Sequence, residues 1–315
     1  MIIDSTTAIT ELTQLLSEQK LSIFAGSGIS VPAPSSLPNW DQLLIEFVDL
    51  AENLPIQEPS NKADLLEIVT DAKAKFSLEK ADPIRIATVL KKKILECNLA
   101  SEPLALTDYN TWVSKIFGSS QPNHYHDKIV NIDFPFILTS NYDMLFERAA
   151  SNNGFSTLTR NSYTYKQELE IMSSIHNRNE CIIHVHGAAT GTLSGLSIDE
   201  LIFTKEDYNK MILKKYSGFS FALRMLFTRY STLFIGYGAS DPHLEEILEE
   251  VTDYFPIDAD DIYPLPMSYL IVKEDKVDSI LSRWKERVRT KIISIKDYSE
   301  NNNILDALYK IRPRI

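Results

Sequence analysis

The chain has 315 residues, 44% of them hydrophobic and 24% charged, which suffices for one large or two modest globular domains. Its 43 acidic and 32 basic residues give a net charge of −11, which argues against a broad nucleic-acid-binding surface, and the run Lys91–Lys93 is interpreted as a solvated helix face. No apolar stretch reaches the roughly 18 residues of a membrane helix, and no signal-peptide pattern opens the sequence, so we expect a cytoplasmic protein without membrane contact.

Residues 5–19 are predicted to form the first helix, because leucine and isoleucine recur there at helical spacing. The apolar run Leu21–Ala25 then has the pattern of a buried parallel strand. It leads into Gly26–Ser30, the sequence GSGIS, where glycine allows a tight turn and a close approach to a ligand. If a helix follows, its free amides would hold a pyrophosphate, although Val31 stands where the usual dinucleotide fingerprint has glycine or alanine.

A helical pattern begins near Asn39, and no convincing strand is predicted from there to about residue 120. Such a length is too great for one crossover between neighbouring strands, so we interpret it as an inserted helical layer. The predicted organisation is a single domain over 1–315, with 1–40 and 120–315 as a Rossmann-like core and 41–119 as a helical insert.

Strands and helices alternate after residue 120, and this alternation predicts the α/β class, with a doubly wound, mostly parallel, Rossmann-like sheet. The predicted strands are 134–139, 181–185, 202–203, 232–235, 267–272 and 291–295. The predicted helices start at about Pro122, Met144 and Pro242 and also cover 205–230, 277–287 and 304–311.

In such sheets, ligands bind where loops leave the carboxyl ends of the strands. Four polar or glycine-rich clusters occupy these positions: Gly26–Ser30, Ser140–Asp143, His184–Gly187 and Gly236–Asp241. Asp241 is also a natural helix N-cap, followed by proline at the first helical position. The convergence of four clusters on one edge predicts a ligand site there.

Asn141 and His186 are the candidate chemical groups of that site. Alone, each has a plain structural interpretation, as a turn residue and a structural histidine. Together they offer a neutral amide to fix a hydroxyl or water and an imidazole that titrates near neutral pH. This pair suits proton removal from a sugar hydroxyl or water, and Ser27 with the amides after Gly26 would hold phosphates. His186 is chosen over His184 because it is nearer the strand end.

The motifs together resemble the sirtuin superfamily, and specifically its bacterial sirtuin-like NADase branch found in antiphage defence. The resemblance covers most of the chain except the helical insert. The segments that carry it are Gly26-Ser27-Gly28-Ile29-Ser30, Leu37-Pro38-Asn39-Trp40, Pro122-Asn123 with His126, Thr139-Ser140-Asn141-Tyr142-Asp143, His186-Gly187 and Gly236-Tyr237-Gly238-Ala239-Ser240-Asp241-Pro242.

The resemblance implies that NAD binds in the cleft between the sheet and the insert. By that likeness Asn141 would orient the nicotinamide ribose or the attacking water, and His186 would act as general base. The residues implied to bind NAD are Gly26, Ser27, Gly28, Ser30, Asp143, Gly236, Gly238 and Asp241. Asp143 is expected to cap a helix and shape its loop rather than to transfer protons.

Protein-deacetylating sirtuins carry four cysteines on a zinc ribbon, whereas this chain has two, Cys97 and Cys181. We therefore expect no metal and favour NAD hydrolysis to nicotinamide and ADP-ribose over deacetylation. Two alternatives remain open: a module that senses NAD or ADP-ribose without turnover, and a protein ADP-ribosyltransferase or deacylase. Control is expected to come from assembly, as a homo-oligomer or with a partner, which in this family's setting is often a DNA-translocating ATPase.

Overall fold

A computed structural model of the chain describes residues 1–56, 58–77, 82–99, 112–113, 115–189, 201–212, 216–255, 265–284 and 287–314. Its strands are β1 (Ile2–Ile3), β2 (Leu21–Ala25), β3 (Phe136–Thr139), β4 (Ser162–Thr164), β5 (Cys181–His184), β6 (Ser231–Ile235), β7 (Ser268–Lys273) and β8 (Thr290–Ile295). In this part of the chain they form one eight-stranded sheet in the order β1-β8-β7-β6-β2-β3-β5-β4. Every pair is parallel, so the predicted doubly wound α/β class is confirmed.

Helices precede or follow almost every strand of the sheet. Their bounds are α1 (Ser5–Ser17), α2 (Trp40–Asn53), α3 (Pro59–Ser77), α4 (Pro83–Leu99), α5 (His124–Val130), α6 (Leu145–Asn152), α7 (Ser156–Arg160), α8 (Glu168–Asn177), α9 (Lys205–Ile212), α10 (Ser217–Arg229), α11 (Pro242–Tyr254), α12 (Val277–Trp284) and α13 (Asn301–Ile311). Short 3₁₀ turns cover Ser27–Ile29, Glu274–Lys276 and Tyr298–Glu300.

The central strands are apolar throughout because both faces of the sheet are covered. Ile23 of β2 packs with α1, α5, α6 and α13 on one face, and its neighbour Phe24 packs with α8, α10, α11 and α12 on the other. β2 lies at the point where the strand order reverses, with β3 on one side and β6 on the other. Open α/β sheets bind ligands at this switch point, outside the carboxyl ends of the strands.

Helices α2, α3 and α4 share a third apolar cluster, which also includes Tyr142 and Phe203 of the sheet loops. A buried ion pair joins this layer to α9, since Lys91 Nζ of α4 lies 2.9 Å from Asp207 Oδ2. The interpretation of Lys91–Lys93 as a solvated face is therefore wrong at Lys91, because its partner is buried with it. The division of the chain into core and insert stays a prediction. None of the described helices has the length and apolar character needed to cross a membrane.

The predicted strand at Ile202-Phe203 is wrong, because this segment is irregular. Its backbone makes separate hydrogen bonds instead of pairing with a neighbouring strand. The amide of Ile202 donates to the His186 carbonyl at 2.9 Å, and the Tyr142 hydroxyl donates to the Ile202 carbonyl at 2.6 Å. The edge strands β1 and β4 were not predicted, since two or three residues carry no readable period.

Candidate active site

One cavity of about 630 Å³ lies over the carboxyl ends of the central strands. The loops after β2, β3, β5 and β6 contribute to its lining, and the helical layer covers one end of it with Trp40, Leu43 and Ile84. The ten residues predicted from the sequence all line this cavity: Gly26, Ser27, Gly28, Ser30, Asn141, Asp143, His186, Gly236, Gly238 and Asp241. The structure thus brings them together, and their individual roles stay predictions.

The two glycine loops interlock at the base of the cavity. The amide of Gly26 donates to the Ile235 carbonyl and that of Gly28 to the Gly236 carbonyl, both at 2.9 Å. A Cβ on Gly26 would come within 2.5 Å of the Gly236 oxygen, and one on Gly236 within 2.7 Å of the Ile29 nitrogen. Gly236 also has φ +63°, a conformation that favours glycine. Glycine is therefore needed here for the contact between the loops as well as for an approach to substrate.

No α-helix follows the first glycine loop directly, so the condition for free helix amides at this point is not met. A single 3₁₀ turn, Ser27–Ile29, follows instead, and the amides of Ile29 and Ser30 donate back to the carbonyls of Gly26 and Ser27. With the Gly28 amide also engaged, the Ser27 amide is the one in this loop left for an anion. The Ser27 side chain lines the cavity beside it.

Ser30 is at the centre of a buried polar network beside Asn141, and its hydroxyl contacts three other buried side chains. Its Oγ lies 3.0 Å from Asp143 Oδ2, 3.1 Å from Asn141 Nδ2 and 3.2 Å from His126 Nε2. His126 Nδ1 faces both a donor and an acceptor, the Asn123 amide at 3.2 Å and Asn123 Oδ1 at 3.0 Å. Burial lowers the pKa of His126 to about 3, which keeps the ring neutral. Ser30 accepts from the Asn141 amide nitrogen and donates its own proton to Asp143.

This network fixes which way the Asn141 amide faces. Since Nδ2 donates to Ser30, Oδ1 points the other way, and it is buried without a hydrogen-bond partner among the described residues. A buried amide oxygen without a partner is costly, so a ligand or water donor is expected there. Burial raises the pKa of Asp143, and its Oδ1 accepts from the Leu145 amide at 3.1 Å. Met144 holds the N-cap position of α6 without a side-chain cap, so the expectation that Asp143 caps this helix is wrong. The part of Asp143 in shaping the loop stays a prediction.

His186 lies beside the carboxylate of Asp241, which the sequence analysis interpreted as a helix N-cap. Its Nε2 is 2.7 Å from Asp241 Oδ2, and both side chains are buried. Burial raises the pKa of Asp241, but its interactions with His186, with His243 and with the Leu244 amide together lower the pKa by more, so the net pKa is below its usual value and the group is ionised. Asp241 Oδ1 accepts from the amides of His243 and Leu244, which confirms the N-cap. A carboxylate in this position stabilises the imidazolium that forms when the ring takes a proton.

His184 does not line the cavity, and its side chain contacts the backbone of Asn141 and the carboxylate of Glu147. Its Nδ1 lies 3.2 Å from the Asn141 carbonyl, and its Nε2 lies 2.8 Å from Glu147 Oε1. Because a carbonyl and a carboxylate both require donors, the ring carries both protons. Although burial lowers the pKa of His184, Glu147 raises it further, and the pKa of Glu147 is lowered in turn by His184 against the effect of burial.

Several cavity residues were not found from the sequence. Tyr208 lies inside α9, with its ring 5.5 Å from that of His186, and nothing in a helical pattern marks such a residue. Lys273 ends β7, so the strand-end rule that selected the other clusters applied to it as well. Asn301 starts α13 far along the chain, and only the folded sheet brings it to the cavity.

Metal ligation has no support in the part of the chain that the structure describes, where no three His, Cys, Asp or Glu side chains are grouped to hold an ion. The expectation of a metal-free site stays a prediction.

Comparisons with known proteins agree with this geometry. The family model of the SIR2-like domain matches residues 135–293, half of the chain. The chain is 23% identical over 315 residues to the NAD(+) hydrolase ThsA of Acinetobacter baumannii (strain 532279), covering 96% of this chain and 55% of that protein. It is 24% identical over 251 residues to the NAD(+) hydrolase ThsA of Cytobacillus dafuensis, covering 80% and 42%. It is also 25% identical over 247 residues to the uncharacterized protein y4cA of Sinorhizobium fredii (strain NBRC 101917 / NGR234), covering 75% and 18%. The chain thus spans about half the length of the two hydrolases it matches.

Proposed function

Because the chain belongs to the SIR2-like family, we propose that it is an NAD⁺ glycohydrolase that forms nicotinamide and ADP-ribose in this cavity. The observation that carries the proposal is that Asn141 and His186 line one cavity. The buried amide oxygen of Asn141 has no partner among the described residues, and His186 Nε2 lies 2.7 Å from the carboxylate of Asp241. Two similar proteins bear the name NAD(+) hydrolase, which supports the same reaction. The proposed cellular role, taken from the resemblance, is depletion of NAD in antiphage defence.

The reaction breaks the bond between C1′ of the ribose and the nicotinamide nitrogen. The bonding electrons go to the pyridinium ring, which leaves as neutral nicotinamide, and C1′ passes through an oxocarbenium-like state as in glycoside cleavage. Water then bonds to C1′ and releases one proton, so that NAD⁺ and water give nicotinamide, ADP-ribose and H⁺.

Different residues of the chain take part in the different steps of this reaction. Asn141 Oδ1 accepts a hydrogen bond from the ribose hydroxyl or the attacking water and so holds it in place. His186 takes the released proton, and Asp241 stabilises the resulting imidazolium. The interlocked glycine loops lie between the two ends of the cavity, where the pyrophosphate contacts Ser27.

A product assay with NAD⁺ tests the proposal. We expect wild-type protein to release nicotinamide and ADP-ribose, and Asn141→Ala and His186→Ala each to lower turnover by about 10²-fold or more. Asn177→Ala and His176→Ala are matched controls, because these residues are exposed at the end of α8. Full turnover in both cavity variants would contradict the catalytic assignment.

The same assay separates the alternatives. Tight binding of NAD⁺ with no nicotinamide released, alone or with partners encoded nearby, would establish a sensing module instead. Label from NAD⁺ retained on protein would establish ADP-ribosyl transfer.

Control by assembly is part of the proposal, because an enzyme that depletes NAD must be held inactive until needed. The partner is a second copy of this chain or a separate protein such as a DNA-translocating ATPase. Size measurement by light scattering, combined with the product assay, tests it. A monomer that is fully active alone would exclude it.

A further inference from the structure

The end of the cavity beyond the glycine loops carries positive charge. It is lined by Lys273 at the end of β7, Lys276 in the following 3₁₀ turn, Tyr298 and Asn301. Neither lysine forms an ion pair within 4.0 Å among the described residues. The nearby carboxylate of Asp297, whose pKa is lowered by hydrogen bonds from Ser299 and by the charge of Lys273, is not part of the cavity lining. The carboxylates in the described lining are Asp41, Asp143 and Asp241, and these belong to the insert and to the catalytic loops rather than to this end.

Two groups around this end are in contact with each other. Lys273 Nζ lies 5.7 Å above the centre of the Tyr298 ring, and the Tyr298 carbonyl accepts from the Tyr125 hydroxyl at 2.9 Å. Burial raises the pKa of that hydroxyl, and the nearby Asn301 side chain opposes the rise.

Asn301 is only 4% exposed, and its Oδ1 has no hydrogen-bond partner among the described residues. Asn301 thus resembles Asn141 in having a buried amide oxygen that no donor in the described part of the chain satisfies. A ribose hydroxyl supplies such a donor.

The order of the strands places these groups relative to the scissile bond. Asn141 follows β3, the glycine loops follow β2 and β6, and Lys273 ends β7. These strands are consecutive neighbours, β3-β2-β6-β7, so at about 4.8 Å a step β7 lies about 14 Å from β3. A dinucleotide cleaved at Asn141, with its pyrophosphate at the glycine loops, therefore has its adenosine ribose over β7.

We propose that this end of the cavity binds an adenosine ribose that carries a 2′-phosphate, so that the protein cleaves NADP⁺ as well as NAD⁺. Sites that select NAD place a carboxylate against the ribose 2′-hydroxyl, and a carboxylate there would repel a phosphate. Here Lys273 and Lys276 supply positive charge instead, and the Asn301 oxygen accepts from the remaining 3′-hydroxyl. The inference rests on the proposed function and names its substrate range.

The bond changes are those already described. NADP⁺ and water give nicotinamide, 2′-phospho-ADP-ribose and H⁺, with cleavage at the nicotinamide C1′–N bond and no change at the 2′-phosphate.

Turnover of the two dinucleotides is the first test. We expect wild-type kcat/KM for NADP⁺ to equal or exceed that for NAD⁺. In Lys273→Gln and Lys276→Gln we expect the ratio of kcat/KM for NADP⁺ to that for NAD⁺ to fall about tenfold or more. Lys310→Gln removes the same charge from an exposed position in the last turn of α13 and should leave the ratio unchanged.

Product binding tests the inference without turnover. Calorimetry should show 2′-phospho-ADP-ribose binding about tenfold or more tightly than ADP-ribose, with the difference shrinking at high salt and in the Lys273 and Lys276 variants. Cleavage of NAD⁺ but not NADP⁺, or equal binding of the two products, would overturn the inference and leave the proposed function standing. No cleavage of either dinucleotide under any activating condition would overturn the proposed function, and the binding preference would still decide the subsite.

Discussion

At the residue scale, Asp241 lies 2.7 Å from His186, through which the proposed mechanism has it act on the reaction, and it also caps α11. Asp241→Asn separates the two roles, because asparagine caps a helix about as well as aspartate but carries no charge. We expect turnover to fall about 10²-fold with KM for NAD⁺ nearly constant, since the imidazolium loses its counter-charge. Steady-state kinetics with NAD⁺ measures both parameters.

The control for this variant is Asp4→Asn. Asp4 caps α1 through the amides of Thr6 and Thr7 and is exposed, away from the cavity. Both variants should keep their melting temperatures within a few degrees of wild type. An equal loss of turnover in both, or a raised KM with unchanged kcat in the cavity variant, would contradict the assigned role of Asp241.

The buried pair of His184 and Glu147 holds the backbone of Asn141. His184→Gln leaves the Glu147 charge buried and alone, so we expect a loss of about 3 kcal/mol in the free energy of unfolding. The double variant with Glu147→Gln should recover part of that loss, because no unpaired charge remains. Chemical denaturation measures these values, and the exposed His176→Gln is the control.

The pH dependence of that loss follows from the two pKa directions. The pKa of His184 is raised above its ordinary 6.5, so its contribution is complete below pH 6.5 and is lost as pH rises through the raised value. The pKa of Glu147 is lowered from 4.5, so its contribution is complete above pH 4.5 and is lost as pH falls through the lowered value. The difference between wild type and His184→Gln should therefore be largest between pH 4.5 and 6.5. A difference that grows steadily above pH 6.5 would contradict the pairing.

At the element scale, the contact between the two glycine loops joins the halves of the sheet at its switch point. In Gly236→Ala the new Cβ would lie 2.7 Å from the Ile29 nitrogen at a φ of +63°. We expect a loss of about 3 kcal/mol in stability from backbone strain and overpacking together, and weaker dinucleotide binding because the loops move apart. Denaturation and calorimetry measure the two effects.

Gly154 provides the matched comparison. It has φ +82°, yet a Cβ there would meet no atom within 4 Å. Gly154→Ala should therefore show the backbone cost alone, about 1 kcal/mol, and leave dinucleotide binding unchanged. If the two variants lose equal stability, the tight approach of the loops is not the source of the effect.

Much of the element pattern could be predicted from the sequence, because strands buried on both faces are continuous apolar runs. β2, β3, β5 and β6 all fall within a residue or two of their predicted bounds. The errors have two physical reasons. β1 and β4 are too short to show a period, and the segment at Ile202 is held by tertiary contacts that leave no local pattern. Ile202 has an apolar side chain suited to a strand, but its backbone bonds go to the His186 loop and to a tyrosine hydroxyl.

The site was predictable only in part because tertiary contacts leave no local pattern. Strand ends and glycines located Asn141, His186 and both loops, because these features are local. The pairing of His186 with Asp241 depends on β5 and β6 lying three positions apart in the sheet, an order that no motif states. The resemblance to the sirtuin superfamily supplied the shared cleft, and the family match confirms that membership.

At the scale of the whole molecule, the helical layer is attached to the sheet through the buried pair of Lys91 and Asp207. Asp207 also accepts from the Thr204 amide and hydroxyl, so the pair anchors the segment that leads into α9. Lys91→Met removes the cation and leaves a buried carboxylate, and we expect a loss of about 3 kcal/mol in the free energy of unfolding.

The control is Lys75→Met, which breaks an exposed pair with Asp71 within α3 and should cost about 0.5 kcal/mol or less. Chemical denaturation compares the two, and the tryptophan fluorescence of Trp40 at the cavity rim reports on the helical layer. Equal stability of the two variants would show that the buried pair does not hold the layer in place.

The Ser30 hydroxyl can donate one hydrogen bond, and this restricts the type of residue that fits at position 141. That hydrogen goes to Asp143, so the neighbour on the other side must bring its own, as the amide of Asn141 does. A carboxylate at 141 would have the same shape and no hydrogen, and two negative groups would then compete for one hydroxyl in a water-poor interior. Asparagine is thus the isostere that donates to Ser30 without adding a charge, and its own oxygen stays without a partner among the described residues.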